Sequence, residues 1–279
     1  MSIRIVTDSS CDLPQALADS LGIRIVPLSV RFGDVEYIDR TTITADEFWK
    51  KCDESPVLPE TAAPPPGAFV EACESLAADG ATGVVIICLS SDLSGTMQSA
   101  MTAARDLSGK IDVRVIDSRN ASMGLGLTVI ECAERARDGA GIDDIVALAE
   151  DLIPRTHLFG ALDTLDNLKK GGRIGGAKAM VASALSIKPL IEVRNGLVAE
   201  AGRQRTRSKA LAFLADIVTE RKATIERLGV LHAQCSDVDA FVSAISADYR
   251  GDITVGEIGA VIGTHAGKGT IGIAFRVSK

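Results

Sequence analysis

Three segments of the chain share one local order, in which a short β-branched strand precedes a loop rich in Asp and Ser and then a helical pattern. They are IRIV with TDSSCDLP at 3–14, GVVIICL with SSDLSGT at 83–96, and VRVI with DSRNAS at 113–122. Strands that alternate with helices predict βαβ units and a parallel sheet. The three loops are then expected at the carboxyl edge of that sheet, where open α/β sheets bind ligands.

Two changes in composition interrupt this pattern. Residues 53–67, DESPVLPETAAPPPG, hold five of the nine prolines. They predict a stiff, irregular loop, because proline has a fixed φ and no amide donor. Near 154–160 the regular alternation ends, so we predict one domain over residues 1–157 and a second over 158–279.

Smaller elements are also predicted along the chain. The segment RIVPLSVRF at 24–32 predicts a further strand after the first helix. The segment DTLDNLKK at 163–170 predicts a helix, and Gly171 is expected to end it in the left-handed conformation.

Composition excludes several classes of function. The chain has 279 residues, with 30 basic against 37 acidic side chains and a net charge of −7, which argues against a broad nucleic-acid-binding face. The six cysteines form no CxxC pair, so neither a zinc ribbon nor a disulfide framework is indicated. The N-terminus lacks a signal-peptide pattern, and the apolar run at 83–89 is too short to span a bilayer. We therefore expect a cytoplasmic protein without stable membrane insertion.

The loop at 90–96 carries the sharpest local signal. Ser94 or Thr96 is expected to cap the following helix, and the same helix N-terminus beside a glycine suits a carboxylate or phosphate. TDSSCDLP lacks the lysine and glycines of nucleotide-binding loops, so ATP and NAD are not predicted. Asp8 and Asp117 suggest a divalent metal as an alternative, but such carboxylates more often hold loops, and we expect no metal or cofactor.

Histidines and basic residues add further candidates. His265 lies in GTHAGKG, which we predict to be a loop, and the flanking glycines allow a ligand to approach the backbone closely. His157 and His232 are expected to be structural. Arg173 follows LKKGG and is either a solvated charge or the partner of a carboxylate. The basic run GRQRTRSK at 202–209 is either a solvated face or a surface for an acidic partner.

Five motifs occur in one order over nearly the whole chain, and together they resemble the DegV family: TDSSCDLP, SSDLSGTMQSA, DTLDNLKKGGRIG, LSIKPLIEV and IGTHAGKG. The resemblance implies an α/β fold of two domains, an N-terminal three-layer α/β/α domain with a parallel sheet and a C-terminal two-layer α/β domain. It implies one long-chain fatty acid, such as palmitate, stearate or oleate, in a buried tunnel between them. Several proteins of this family act as the FakB subunit of bacterial fatty acid kinase, which presents the acyl carboxylate to a separate kinase subunit. The resemblance thus implies a lipid carrier without catalysis of its own.

The resemblance also implies roles for individual residues. Those expected to bind the carboxylate are Thr61, Ser94, His265 and Arg173. Those that match the kinase-facing surface are Arg203, Arg205 and Arg207.

Two departures from the family pattern bear on the carboxylate site. Ala62 and Ala63 replace two polar side chains of the family's TSQP-type loop, which alters the hydrogen-bond network around the threonine. Lys268 stands where proline is usual, and we expect it to place a cation beside the carboxylate.

The physical chemistry of a fatty acid agrees with such a site. Burying about 16 carbons at roughly 0.8 kcal/mol per methylene gives on the order of 10 kcal/mol before the costs of association. The stretch AMVASALSI at 179–187 suits a tunnel wall, although ordinary core packing explains it equally well. A buried carboxylate has to be paired, because an unpaired charge is costly inside a protein.

Two alternatives belong to other functional classes. In the first, Ser94 is the nucleophile and His265 the base of an acyl hydrolase, although the GxSxG motif is missing. In the second, the protein is a regulatory interaction protein that works through the basic run.

Overall fold

The structure, a computed structural model, describes residues 2–183 and 187–279, with residues 180–183 described by their backbone only. The strands are β1 (Ile3–Asp8), β2 (Arg24–Val26), β3 (Ser29–Phe32), β4 (Val35–Ile38), β5 (Glu60–Ala62), β6 (Gly83–Cys88), β7 (Asp112–Asp117), β8 (Thr156–Ala161), β9 (Lys188–Arg194), β10 (Leu197–Gln204), β11 (Ile225–His232), β12 (Ile253–Glu257) and β13 (Ile271–Val277). The α-helices are α1 (Gln15–Leu21), α2 (Ala45–Glu54), α3 (Pro66–Ala78), α4 (Thr96–Asp106), α5 (Ser122–Arg137), α6 (Ile142–Leu152), α7 (Asp166–Lys170), α8 (Arg207–Arg221), α9 (Val238–Asp248) and α10 (Ala260–Ala266). Short 3-10 helices lie at Ser9–Cys11, Ile153–Arg155 and Gly175–Ser183.

The predicted parallel sheet is confirmed. Its four strands lie in the order β2-β1-β6-β7, and every neighbouring pair is parallel. The loops after the strands meet at the carboxyl edge, as expected. Asp8 at the end of β1 accepts the Leu89 amide at 2.8 Å, and Asp117 at the end of β7 accepts the Ser91 hydroxyl at 2.5 Å. Both carboxylates therefore hold neighbouring loops together.

Helices cover both faces of this sheet and make the predicted three layers. Strand β6 is buried along its whole length, so its alternate side chains serve two different cores. Val84, Ile86 and Cys88 pack in the core that includes residues of α3 and α4. Val85 and Ile87 pack in the core on the other face, which includes residues of α1, α5 and α6.

The prediction of one strand over 24–32 is wrong. Residues Arg24–Val26 pair with β1, whereas Ser29–Phe32 belongs to a separate antiparallel sheet of order β4-β3-β5. Pro27 lies between the two strands and has no amide to donate to a sheet ladder, so the chain leaves one sheet before it enters the next.

The proline-rich segment is also more ordered than expected. Residues Glu60–Ala62 form β5 and pair with β3, with Thr61 opposite Val30. Pro66 begins helix α3, at a position where a missing amide costs little because the first helical amides lack partners.

The second large sheet has six strands in the order β10-β9-β8-β13-β11-β12 and is antiparallel except between β11 and β12. One of its faces packs with α8 and α9, which gives the predicted two-layer α/β arrangement.

The predicted division between residues 157 and 158 stays a prediction, and strand β8 begins at Thr156. Within the described residues, none of the helices combines the length and the apolarity that crossing a membrane requires.

Helix α5 packs between the two large sheets. Its residues share one core with Ile5 of β1 and with Leu231 and Ala274 of the second sheet. Glycines make this close approach possible. A Cβ atom at Gly229 would lie 2.6 Å from Met123 Cγ, and one at Gly256 would lie 2.8 Å from Met123 Cε. Both distances are too short for a side chain.

A buried carboxyl joins α5 to the start of α10. Asp12 is 1% exposed, and its side chain accepts the Gly259 amide at 2.9 Å and the Ser122 hydroxyl. Burial is the largest influence on this group and raises its pKa to about 7, against the lowering effect of those two hydrogen bonds. The folded protein therefore holds a proton on Asp12 more tightly than the unfolded chain does.

We expect Asp12→Asn to alter the pH dependence of stability. A raised pKa stabilises the fold below the usual value near 3.8, and this contribution is lost as pH rises through about 7. Asparagine keeps an acceptor for Gly259 and a donor for Ser122 but does not ionise. Relative to this variant, the wild-type free energy of unfolding should fall by roughly 2–4 kcal/mol between pH 4 and 8.

Urea denaturation at several pH values measures this difference. Asp34→Asn, which changes an exposed carboxyl, serves as the control. Parallel pH profiles for wild type and Asp12→Asn would contradict the raised pKa.

Candidate functional site

An apolar cavity of about 170 Å³ lies between the two large sheets, at the carboxyl edge of the parallel one. Most of its walls are aliphatic side chains from the loop after β6, the start of α5, strands β8, β9 and β10, and helix α10. The apolar residues that line it are Leu28, Ala63, Leu89, Leu93, Ala121, Leu158, Leu168, Ile191, Val193, Val198, Val261, Ile262 and Ala266.

A second chamber of about 60 Å³ continues this cavity between the sheets. The two chambers share the wall residues Ser122, Leu158, Ile191, Val193, Ile262 and Ala266. The second chamber is lined further by Phe159, Leu162, Leu231 and Ile258. The two chambers are therefore adjacent, and most of the residues that line them are apolar.

The four residues predicted for the carboxylate site come together in this structure. They line the first chamber, although they are far apart in sequence, and they are Thr61, Ser94, Arg173 and His265. Thr61 lies in strand β5, Ser94 in the loop before α4, Arg173 in the turn after α7 and His265 in helix α10. The predicted loop position of His265 is therefore wrong, because it lies in the last turn of a helix.

His265 is held by contacts on two sides. Its Nε2 lies 3.0 Å from Thr61 Oγ1, and the ring packs so closely on Gly171 that a Cβ atom there would lie 2.3 Å from Nδ1. Within the described residues, the buried Nδ1 has no hydrogen-bond partner. Burial, and after it the charge of Arg173, lowers the pKa of His265 to about 4, so the imidazole is neutral at pH 7.

The end of α7 differs from the prediction for Gly171. Gly171 has φ −73°, and the left-handed conformation belongs to Gly172 at φ +73°. Gly171 is needed for the close contact with the His265 ring rather than for a positive φ.

Arg173 joins the turn after α7 to the loop that carries Ser94. Its Nε donates to the Leu93 carbonyl at 3.1 Å, and Nη1 donates to the Gly171 carbonyl at 2.6 Å. The side chain is half-buried, so it brings a permanent positive charge to the polar end of the cavity.

The predicted cap of α4 by Ser94 or Thr96 is not formed, because the N-cap residue is Gly95 and no side chain makes the capping hydrogen bond. Ser94 lies in the loop immediately before that glycine. Its Oγ is 2.9 Å from Thr96 Oγ1 and accepts the Thr96 amide at 3.3 Å. Gly95, the residue before the helix, also lines the cavity. The positive end of the α4 dipole thus lies at the polar end of the apolar space.

An outer cleft of about 540 Å³ adjoins this polar end. It is lined by residues 56–61 and by Asn167, Lys170, Gly171, Arg173, Thr264 and His265. Thr61, Arg173 and His265 line both the cleft and the apolar cavity. A polar group held by these three residues would therefore face the outside while its apolar part is buried.

The hydrolase alternative lacks the contacts that it needs. Ser94 pairs with Thr96, and His265 pairs with Thr61. Within residues 2–183 and 187–279, no hydrogen bond joins Ser94 to His265, and no carboxylate orients the His265 ring. In this arrangement, Ser94 and His265 do not form a nucleophile and base pair.

Lys268 does not lie where we expected it. Its Nζ pairs with Asp53 Oδ2 at 2.5 Å, and it lines neither the cavity nor the outer cleft. Ala63 does line the cavity, so this departure replaces a polar side chain with part of an apolar wall.

The alternative metal site at Asp8 and Asp117 finds no support, since the described part of the chain contains no cluster of acidic, His or Cys side chains that could hold a metal.

The three arginines of the basic run differ from one another. Arg205 is exposed, and Arg203 pairs with Glu200 at 2.7 Å. Arg207 donates to both carboxylate oxygens of Asp237, at 2.6 and 2.8 Å, and to the Gly269 carbonyl. Arg207 therefore ties α8 to neighbouring loops. The contact of this run with a partner stays a prediction.

Sequence reasoning missed most of the apolar walls. The stretch 179–187, which suits a tunnel wall or ordinary core packing equally well, cannot be assigned to either, because residues 184–186 and the side chains of 180–183 lie outside the described part of the chain. Instead, β9 supplies Ile191 and Val193, and α10 supplies Ile262 and Ala266 on the same side as His265. The spacing of Ile262 and Ala266, four residues apart in a helix, could have indicated this shared face.

The fold and the site together define an α/β protein with an apolar cavity between two sheets and a polar group at one end. The family profile described as "Uncharacterised protein, DegV family" matches residues 2–278, and the chain belongs to the DegV family. A DegV domain-containing protein of Streptomyces coelicolor is 36% identical over 277 residues, which cover 97% of each chain.

Solved structures show the same fold. A fatty-acid-binding DegV family protein from Thermus thermophilus is 34% identical, with a TM-score of 0.91 over 100% of both chains. A stearic acid-binding protein from Eubacterium ventriosum is 25% identical, with a TM-score of 0.89 over 98% of both chains. The predicted family and fold class are confirmed.

We expect His265 to remain neutral across the physiological range in the ligand-free protein. Because its pKa is lowered to about 4, its imidazole should show no protonation between pH 8 and 5.5. Nitrogen-15 NMR of histidine-labelled protein measures this directly. The same residue in urea-unfolded protein is the control and should titrate near 6.5. A folded-state midpoint near 6.5 would contradict the burial of the ring.

Proposed function

We propose that this protein binds one long-chain fatty acid, such as palmitate, stearate or oleate, and presents its carboxylate to the catalytic subunit of a fatty acid kinase. The observation that carries the proposal is the boundary formed by Thr61, Arg173 and His265, which lies between the apolar cavity and the outer cleft. An acyl chain would fill the cavity while its carboxylate faces the cleft. The proposal assigns no metal or cofactor to this protein.

The acyl chain accounts for most of the affinity in this proposal. Each buried methylene contributes about 0.8 kcal/mol, so a chain of about 16 carbons gains on the order of 10 kcal/mol before association costs. The apolar walls from β9 and α10, among them Ile191 and Ile262, provide this environment. The related proteins from Thermus thermophilus and Eubacterium ventriosum, which bind fatty acids, support the same ligand class.

The polar end accounts for recognition of the acid. A carboxylate at the boundary would lie beside the Arg173 guanidinium, which compensates its charge. In the tautomer with its proton on Nε2, His265 donates to Thr61 Oγ1, which leaves the hydroxyls of Thr61 and Ser94 free to donate to a carboxylate. Because His265 is neutral, the positive charge at the boundary comes from Arg173 and offsets the negative charge of the carboxylate.

The proposed kinase partner would reach the carboxylate through the outer cleft. Exposed Arg205 in the basic run provides a positive group for an acidic surface of that partner. We also propose a cytoplasmic location. A kinase needs ATP, and the six cysteines are free, which is the state that a reducing compartment maintains.

Removing the two hydroxyls should weaken fatty-acid retention. For Thr61→Ala combined with Ser94→Ala, we expect palmitate affinity to fall at least about tenfold, because each hydrogen bond to a charged group contributes about 1.5–3 kcal/mol. Equilibrium dialysis of delipidated protein with radiolabelled palmitate measures the change. Thr102→Ala with Ser108→Ala, which alters residues outside the cavity, is the control. Equal affinities for the two double variants would contradict the assigned carboxylate site.

Presentation to a kinase makes a separate prediction. With ATP, palmitate and the kinase catalytic subunit from the same organism, we expect acyl phosphate to form only when this protein is present. Arg205→Glu should slow its formation about tenfold through lost charge complementarity while the bound lipid stays constant. Hydroxylamine trapping of the acyl phosphate measures the rate, and Arg250→Glu at another exposed arginine is the control. Formation at the same rate without this protein would contradict the presenting role.

A further inference from the structure

The hairpin formed by β9 and β10 reaches from the second sheet to the loops of the parallel sheet. Its two-residue turn consists of Asn195 and Gly196, with φ of +51° and +81°. An Asn-Gly turn with two positive φ values is the tight connection that antiparallel strands favour. The hairpin therefore ends in a well-defined tip.

The tip is bound to the loops after β6 and β7. The Ser90 hydroxyl donates to the Gly196 carbonyl at 2.7 Å in a buried contact, and Arg119 Nη2 donates to the Asn195 carbonyl. Arg119 is oriented in turn by Asp92, whose carboxylate lies 2.7 Å from Nη1. We call these contacts of Ser90 and Arg119 with the hairpin tip the hairpin latch.

The fit at the latch leaves no free space. A Cβ atom at Gly196 would lie 2.6 Å from both Ser90 Oγ and Arg119 Cζ. Arg119 itself has φ +53°, a conformation that residues with a side chain rarely adopt. Its backbone amide donates to Asp117 Oδ1 at 2.8 Å, which holds that conformation.

The latch joins opposite walls of the apolar cavity. On one side, the hairpin supplies Ile191 and Val193 from β9 and Val198 from β10. On the other side, the loop that begins with Ser90 continues to Leu93, which also lines the cavity. Strand β10 is at the edge of its sheet, and among the described residues its strand partner is β9 alone.

An acyl chain enclosed between these walls needs a route in and out. The last residue of β9 that pairs with β8 is Glu192, so movement of the hairpin beyond that residue separates the walls while β8 and β9 stay paired. We propose that the hairpin latch sets the rate at which bound fatty acid exchanges, with Arg119 as a positioning residue that keeps the hairpin closed. This inference rests on the proposed fatty-acid binding.

The test compares two arginine variants in the full-length protein. Arg119→Gln removes the arginine contact of the latch. Arg114→Gln is a matched control, because Arg114 is similarly exposed, at 44% against 39%, and pairs with Asp112 at 2.7 Å away from the hairpin. Each protein is loaded with radiolabelled palmitate and mixed with excess albumin, and release is followed in time.

We expect at least tenfold faster release from Arg119→Gln and release within twofold of wild type from Arg114→Gln. Ser90→Ala, which removes the second latch contact, should also speed release. Palmitate release from Arg119→Gln within twofold of wild type would overturn the latch. Failure of wild type to bind any long-chain fatty acid would instead overturn the proposed function on which the latch rests.

Hydrogen exchange separates a local role from general destabilisation. In Arg119→Gln, the amides of Leu197 and Val198 should exchange faster, whereas those of β1 and β6 should keep their wild-type protection. Equal loss of protection in the parallel sheet would overturn the proposal, because release would then follow unfolding rather than hairpin opening.

Discussion

The close packing of α5 between two sheets is the constraint on which the rest of the molecule depends. Glycines in β11 and β12 leave room for Met123, so the helix lies directly against the second sheet. This packing sets the spacing between the sheets. At that spacing, the loops after β6 and β7, strand β9 and helix α10 all reach the same apolar cavity. A larger side chain at Gly229 or Gly256 would push the walls apart.

The polar end of the cavity carries the charge of Arg173 beside neutral polar side chains. Arg173 is half-buried and permanently positive, whereas burial lowers the pKa of His265 so that its ring is neutral at pH 7. A second cation without a partner would be costly in this environment. The hydroxyls of Thr61 and Ser94 add hydrogen-bonding capacity without charge. The same residues face the outer cleft or lie beside it, which makes the polar end accessible while the walls stay apolar.

The sequence predicted the parts of the fold that follow from local pattern. The strand, loop and helix order at 3–14, 83–96 and 113–122 gave the parallel sheet, because that order constrains both strand direction and crossover. The break at Pro27 and the short strand at Glu60–Ala62 were missed. Pro27 was a local sign of the break, whereas β5 pairs with β3 from an earlier part of the chain, and no local pattern predicts that pairing.

The site shows the same limit more clearly. Thr61 and His265 are 204 residues apart and meet through a hydrogen bond that no spacing rule predicts. Thr61 was selected by the resemblance to the DegV family, whereas the flanking glycines had already made His265 a candidate, and only the resemblance placed the two in one site. The apolar walls came from neither source, because an aliphatic residue in a core and one beside a cavity look alike in sequence. Lys268 is the reverse case. Its position close to His265 in sequence suggested that it lies beside the carboxylate site, but its Nζ pairs with Asp53 instead.

The most direct measurement is chemical identification of what the purified protein carries. Protein isolated from its own organism is extracted with organic solvent, and the released material is identified and quantified by mass spectrometry. We expect close to one long-chain fatty acid per chain. A sugar phosphate or nucleotide in its place, or a protein that neither carries nor takes up any fatty acid, would contradict the interpretation of the cavity.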